Sequence, residues 1–288
     1  MSTELVEILK KEFESRPLSK DEKISIINKM ITILDDNQIS QVIESLKKPF
    51  FNSQLNEYLI DSQMPEIDSK EFDFLVQAAK YHGNIVRSLM NEAGISNYYI
   101  DRFSKKYHLK TITNKTLVFP SKKIDAPFLF QKQYSKSVIS HESALYLLDL
   151  CDVIPKRTVM SMPKGYKLSQ ISDNVLQSSW ELYNGQKSLL VRYPENDPLV
   201  LTRSDPIEES QILIKETSEG NPVRVTTSER TIADILRPNS CAEEESKVEA
   251  IRRYYDSNPG KGQRLRRIAH KEGVLSELDR YLWSLRLD

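Results

Sequence analysis

Residues 70–119 constrain the fold of this chain most, because three short apolar-periodic runs, cut by glycine-bearing turns, lead into two β-prone segments. The first run, Phe72, Phe74, Leu75, Ala78 and Ala79, stops at His82-Gly83, and the second, Ile85, Val86, Leu89 and Met90, stops at Ala93-Gly94. After Gly94-Ile95-Ser96 the pattern predicts a third helix over Asn97 to Tyr107, carrying Tyr98, Tyr99, Arg102, Lys105 and Lys106. His108–Ile112 and Thr116–Phe119, joined through Thr113-Asn114-Lys115, read as a two-stranded wing. Three short helices and a wing predict a winged helix-turn-helix over 70–122, a module that sets its third helix in a DNA major groove.

Charge distribution agrees with that expectation, although net charge does not demand it. Lysines and arginines balance acids at 41 each, so no global field draws the chain to a polyanion. Acids dominate early, with Glu4, Glu7, Glu12, Glu14, Asp21, Glu22, Asp35 and Asp36, whereas Arg102, Lys105, Lys106, Lys110, Lys115, Lys122, Lys123, Lys132 and Lys136 face only Asp125. Near the start of the third helix, Ser96, Asn97, Tyr98, Tyr99 and Arg102 are placed to meet base edges, and Asn97 and Arg102 can do so in bidentate fashion. Lys105, Lys106, Lys110, Lys115, Lys122 and Lys123 would hold phosphates. A lysine-rich helix can equally be a solvated face, and winged helices also serve as protein-interaction modules. A second basic cluster, Lys261, Arg264, Arg266, Arg267 and Lys271, with His270, either extends a polyanion footprint or decorates a helix whose Leu265 and Ile268 point inward.

The rest of the chain predicts an α+β protein. Residues 1–65 read as a helical extension: Leu5, Ile8 and Leu9 mark one face, Ser19 and Glu22 form a capping box, and Ile24, Ile27, Met30, Ile31 and Leu34 keep helical spacing. Met64-Pro65-Glu66 is a boundary, and Pro120 to Pro127 a second linker. A mixed α/β domain over 128–288 is then expected: a helix from Ser140 to Leu150, strands at Thr158–Met162, Ser188–Tyr193, Gln211–Glu216 and Val223–Thr226, and a helix Glu229–Leu236 capped by Thr226 or Ser228. Further helices run from Glu243 to Leu285, interrupted at Ser257-Asn258-Pro259-Gly260. With 8 glycines in 288 residues, against a usual frequency of about 7%, a helix-rich chain is favoured. Cys151 and Cys241 read as free thiols. The N-terminus lacks a signal-peptide pattern and no apolar run nears the length of a membrane span, so a cytoplasmic protein with no membrane association is expected.

Catalytic patterns fail on inspection. Ser140-His141-Glu142 has the residue types of a triad, but consecutive helix positions diverge. Asp205 with Ile214-Lys215-Glu216 lacks the acid two residues before the lysine that a metal-dependent nuclease needs, since Leu213 stands there. Pro259-Gly260-Lys261-Gly262 lacks the upstream glycine and following hydroxyl of a phosphate loop. No spacing suits zinc, and His82, His108, His141 and His270 are scattered. The residues therefore predict neither catalysis nor a cofactor nor a metal.

Four segments carry a resemblance. Gly83 through Ala93-Gly94-Ile95-Ser96, Ile139-Ser140-His141-Glu142-Ser143-Ala144-Leu145, Pro163-Lys164-Gly165-Tyr166 and Val223 to Leu236 (VRVTTSERTIADIL) resemble the AbiEi family, the antitoxins and autoregulators of type IV AbiE toxin–antitoxin abortive-infection systems in bacterial phage defence. The likeness covers roughly residues 70–240. It implies a winged helix that represses its own operon by binding promoter inverted repeats in double-stranded DNA, two copies to a site. It also implies a C-terminal domain that counters a nucleotidyltransferase-like AbiEii toxin without a stable complex. The family's winged helix usually begins near the N-terminus, whereas about sixty-five residues precede it here. A nucleic-acid-processing enzyme with an unrecognised C-terminal site and a winged-helix protein adaptor are the competing readings.

Overall fold

A computed structural model describes residues 55–60, 65–66, 69–172, 176–257, 260 and 262–287. The chain divides into two units, Met1–Met64 and Pro65–Asp288. Of the first, the described part holds a single 3₁₀ turn, Asn56–Tyr58. The helices expected over residues 3–50 lie outside the described residues.

The second unit is α+β. It opens with helix α1 (Lys70–Lys80), where the Ser69 hydroxyl oxygen accepts from the Phe72 amide at 3.1 Å and so caps a free N–H. Phe72, Phe74, Leu75 and Ala78 form its buried face. Strand β1 (Asn84–Val86), helix α2 (Arg87–Glu92) and helix α3 (Asn97–Lys106) follow, then strands β2 (Lys110–Thr113) and β3 (Thr116–Val118). The three strands pair antiparallel in the order β1-β3-β2. This corrects the sequence expectation twice: Ile85 and Val86 belong to a strand rather than to the second helix, and the sheet has three strands rather than two. Gly83, at φ 79°, turns the chain out of α1, and the β-branched pair behind it extends more readily than it coils.

Residues 120–125 are turn and coil, as the expected linker required, but its last two residues, Ala126-Pro127, already open a helix. Asp125 caps helix α4 (Ala126–Gln133) by accepting from the Phe128 amide at 3.2 Å, and Pro127 sits in its first turn. Next come strand β4 (Val138–Ile139), helix α5 (His141–Leu147), strand β5 (Thr158–Pro163), the one-turn helix α6 (Ser169–Ser172), and strands β6 (Gln177–Tyr183), β7 (Gln186–Arg192) and β8 (Leu199–Ser204). A 3₁₀ turn (Glu209–Gln211) leads to β9 (Ile212–Glu216), β10 (Pro222–Thr226) and helix α7 (Ser228–Ile235). Helices α8 (Glu244–Ser257), α9 (Gly262–Lys271) and α10 (Leu275–Leu285) close the chain, and Asn258-Pro259 between them is outside the described residues. Thr227, rather than Thr226 or Ser228, caps α7, because Thr226 is the last residue of β10. Strands β6 and β8 have no counterpart in the sequence expectation.

Seven strands form a mixed sheet in the order β6-β7-β8-β5-β4-β10-β9, with β5 parallel to β8 and β10 parallel to β4. One apolar core runs from the small sheet into the large one: Val86, Ile112 and Val118 belong to the same buried cluster as Phe128, Met160 and Leu199. A second core gathers Leu145, Ile232, Ile251, Leu265 and Leu282 between α5 and the helices from α7 to α10. Among the described residues no helix is long and apolar enough to cross a membrane.

Candidate functional site

Helix α3 owes its pose to two inward residues. Ile100 and Phe103 are buried, which turns Asn97, Tyr98, Asp101, Arg102, Lys105 and Lys106 outward, with Ser96 exposed just before the first turn. Tyr99 is half-buried and stacks on Phe103 at 5.9 Å. Tyr98 leans edge-on against Tyr99 and stays 69% exposed, a large aromatic surface left to solvent.

The cations around α3 divide into two groups. Lys106 pairs with Glu71, which also accepts from the Tyr107 hydroxyl. Burial alone would raise the Glu71 pKa, but the bonds from Lys106 and Tyr107 outweigh it and hold the carboxyl below its ordinary range. Lys110 pairs with Glu195 at 2.8 Å and Lys123 with Glu219 at 3.7 Å, while Lys122 is half-buried. Arg102, Lys105 and Lys115 are exposed and have no carboxylate at ion-pair distance among the described residues, although the charge of Arg102 also acts on Glu71. Asp101 interrupts the basic face, although Arg87 pairs with it at 2.7 Å.

The second basic cluster disperses into ion pairs. Arg264 lies 3.3 Å from Glu229, Arg266 pairs with Asp279, and Lys271 with Glu208. Arg267 is exposed on α9, Leu265 and Ile268 point inward, and Lys261 is outside the described residues.

A different constellation appears where three of the motif segments meet. His141 begins α5, Lys164 follows β5, and Arg230 and Asp234 lie on α7, one turn apart; together with Arg203, Asp205 and Arg237 they line a cleft of about 110 Å³. Arg230 is nearly wholly buried, with 4% of its side chain exposed, and donates to Asp234 (3.0 Å), Glu272 (2.7 Å) and Gln211 (3.1 Å). Arg237 reaches Glu272 and lies 3.6 Å from Asp234. The other Asp234 oxygen, Oδ2, is buried and accepts no hydrogen bond from the described residues. On the wall, His141 adopts φ 54°, and its Nδ1 lies 2.9 Å from the Ser140 hydroxyl, which also bonds Ser161 at 2.8 Å. The serine and histidine thus meet after all, because Ser140 stands extended at the N-cap position, as expected, and its hydroxyl makes no cap bond to the helix. Glu142 turns away to accept from Tyr183, whose hydroxyl is pushed far above its ordinary pKa by burial and then by that carboxylate. Ser140 is fully buried, so this contact is not an exposed nucleophile. Among the described residues no group of three His, Cys, Asp or Glu could hold a metal. Sequence reasoning missed the cleft because its residues come from five separate segments.

No family model and no characterised protein matches the chain. Four solved chains are similar to part of it, among them two of bacterial or resistance-factor origin by name. An antibiotic-resistance factor, ANT(2'')-Ia, shares 15% identity over 52% of this chain and 90% of its own, with a TM-score of 0.33. A candidate nucleotidyltransferase from H. pylori shares 14% identity over 58% of this chain and 84% of its own, with a TM-score of 0.31. The second is named as a candidate nucleotidyltransferase, and beside these neighbours the expectation of a chain without catalysis is withdrawn. At such TM-scores the likeness carries no residue, substrate or mechanism over to this chain.

Proposed function

We propose that this protein binds double-stranded DNA through a winged helix-turn-helix made of α1 to α3 and the β1-β3-β2 sheet. The observation that carries the reading is the outward face of α3, where Asn97, Tyr98, Arg102 and Lys105 are solvent-exposed within two and a half turns, near an exposed Lys115 at the β2–β3 turn. Asn97 and Arg102 suit base edges, Ser96, Tyr98 and Tyr99 sit beside them, and Lys105 and Lys115 suit phosphates. Lys106, Lys110 and Lys123 reach phosphate only by leaving a carboxylate partner. On the AbiEi resemblance, the DNA is the protein's own promoter, read as inverted repeats by two copies, and the biological role is that of a type IV antitoxin set against an AbiEii-type toxin.

A second reading, a nucleic-acid-processing enzyme, is favoured by one observation: the cleft with its buried Arg230–Asp234 pair in the seven-stranded domain. Fluorescence anisotropy against DNA from upstream of the gene, with scrambled DNA at two salt concentrations, tests the first reading. Tight, salt-sensitive, sequence-preferring binding is expected. Equal, weak binding to both DNAs would sink it and leave the cleft as the functional centre, to be assayed for turnover of labelled nucleic acid and nucleotides with Mg²⁺.

A further inference from the structure

The polar cleft has features that a purely structural ion network does not require. We propose that it is a binding site for a phosphomonoester that carries a neighbouring hydroxyl. At its mouth stand two cations with little to hold them, Arg203 and Lys164, and a third, Arg237, that is paired but partly exposed. Arg203 is exposed and makes no ion pair among the described residues. Lys164 is tied only to Asp205, with both side chains more than 60% exposed, a pairing worth little in water and easily exchanged. Arg237 keeps 40% of its side chain exposed beside Glu272.

Counting Lys164, Arg203, Arg230 and Arg237 against Asp205, Asp234 and Glu272 leaves one positive charge in surplus, which favours an entering anion. Guanidinium groups match phosphate in planar, bidentate geometry, and two of them face the same space here. The floor selects a second group. Asp234, 3% exposed, lines the cleft, gives one oxygen to Arg230 and leaves the other, Oδ2, buried without a donor among the described residues. An unpartnered buried carboxylate oxygen is costly, and a small rotation of the carboxylate toward the cleft would let an O–H donor beside the phosphate satisfy it. The ligand is therefore an anion with a donor next to it. Bare phosphate diesters along a duplex lack that donor, which separates this site from the α3 surface.

Isothermal titration calorimetry of the full chain tests the assignment, with ribose 5-phosphate as probe and ribose and methyl phosphate as controls. Ribose 5-phosphate is expected to bind, ribose not detectably, and methyl phosphate at least about tenfold more weakly than ribose 5-phosphate. Arg203→Gln is expected to weaken ribose 5-phosphate at least about tenfold with no change in melting temperature, since that exposed side chain makes no ion pair among the described residues. Competition by a short 5′-phosphorylated single-stranded RNA would assign the site to strand ends, and failure to compete would assign it to free sugar phosphates; both results support the site. Absence of binding, equal binding of ribose, equal binding of methyl phosphate, or unchanged affinity in Arg203→Gln overturns the proposal. None of these outcomes depends on α3, so the DNA reading stands or falls separately.

Discussion

Two neighbouring lysines on one helix should behave differently in DNA binding. Lys105 and Lys106 both end α3 and both are exposed, but Lys106 is held by Glu71 while Lys105 is not. If Arg102, Lys105 and Lys115 each neutralise one phosphate, the plot of log affinity against log salt should have a slope of about −2.7, at roughly 0.9 per phosphate. Between 50 and 200 mM salt that slope predicts about a 40-fold loss of affinity for the wild type and about 12-fold for Lys105→Ala, whose slope falls to about −1.8. Lys106→Ala should change the slope by much less, because its charge is already balanced by a carboxylate kept ionised by the bonds from Lys106 and Tyr107. Glu71→Gln should steepen it toward about −3.6 by releasing Lys106 as a fourth contact. Anisotropy titrations of the four proteins at three or more salt concentrations supply the slopes. Equal slopes for Lys105→Ala and Lys106→Ala, or no steepening in Glu71→Gln, would refute the division of these cations into free and paired groups.

Other expectations concern stability. Asp125 caps α4 and accepts from Thr217 and from Asn221 (2.9 Å), so Asp125→Ala removes a cap and strands two donors, a loss of about 2–4 kcal/mol readable by urea denaturation. An unshifted urea midpoint would contradict it. Burial raises the Asp125 pKa despite those three donors, so its contribution is fully present below its unfolded pKa of about 4 and is lost as pH rises through the folded value. The stability of the wild type relative to Asp125→Asn should therefore fall with rising pH in that window, and a flat difference would disprove the shift. Arg230→Met leaves Asp234 and Glu272 buried without their main partner and should cost about 3–5 kcal/mol, with little rescue by Arg230→Lys, which cannot bridge three acceptors in one plane. Gly220 has φ +84°, and a Cβ there would lie 2.7 Å from the His82 ring, so Gly220→Ala should destabilise by about 1 kcal/mol or more.

How far the sequence discloses this molecule depends on whether the signal is local. Helices α1 and α3 are legible because their buried residues recur at helical spacing, whereas α2 buries only Met90 and is marked mainly by the Ala93-Gly94 stop. Strand β1 is not legible, since two apolar residues at Ile85 and Val86 fit a helix face and a short strand equally, and only pairing with β3 decides between them. Helix α4 carries a start signal, an aspartate cap followed by proline in the first turn, which the reading of Pro120 to Pro127 as a linker obscured. The β6–β7 hairpin was also announced locally: Asn184-Gly185 joins the strands, with φ of 49° and 70° at its two central residues, the pairing such tight turns favour. The cleft is only half signalled: His141, Lys164 and Arg230 lie in segments that stand out in the sequence, but nothing local shows that they meet one another, or Arg203, through the order of the large sheet.

The placement of charge in that cleft also bears on what the domain is for. A buried arginine with two acidic partners adds little net stability, because desolvation offsets most of the attraction and apolar residues of similar size often serve as well. The second core already has apolar contacts enough to seat α7 against α8 to α10, with Ile232, Ala233 and Ile235 fully buried. Holding the helices together therefore does not call for Arg230, Asp234, Arg237 and Glu272 at this edge of the core. What the ionic arrangement achieves, and an apolar one could not, is to fix guanidinium and carboxylate groups in defined directions at the mouth and floor of a cleft. The small sheet shares its core with the large one through Val86, Ile112 and Val118, so the α3 surface and the cleft belong to one packed body.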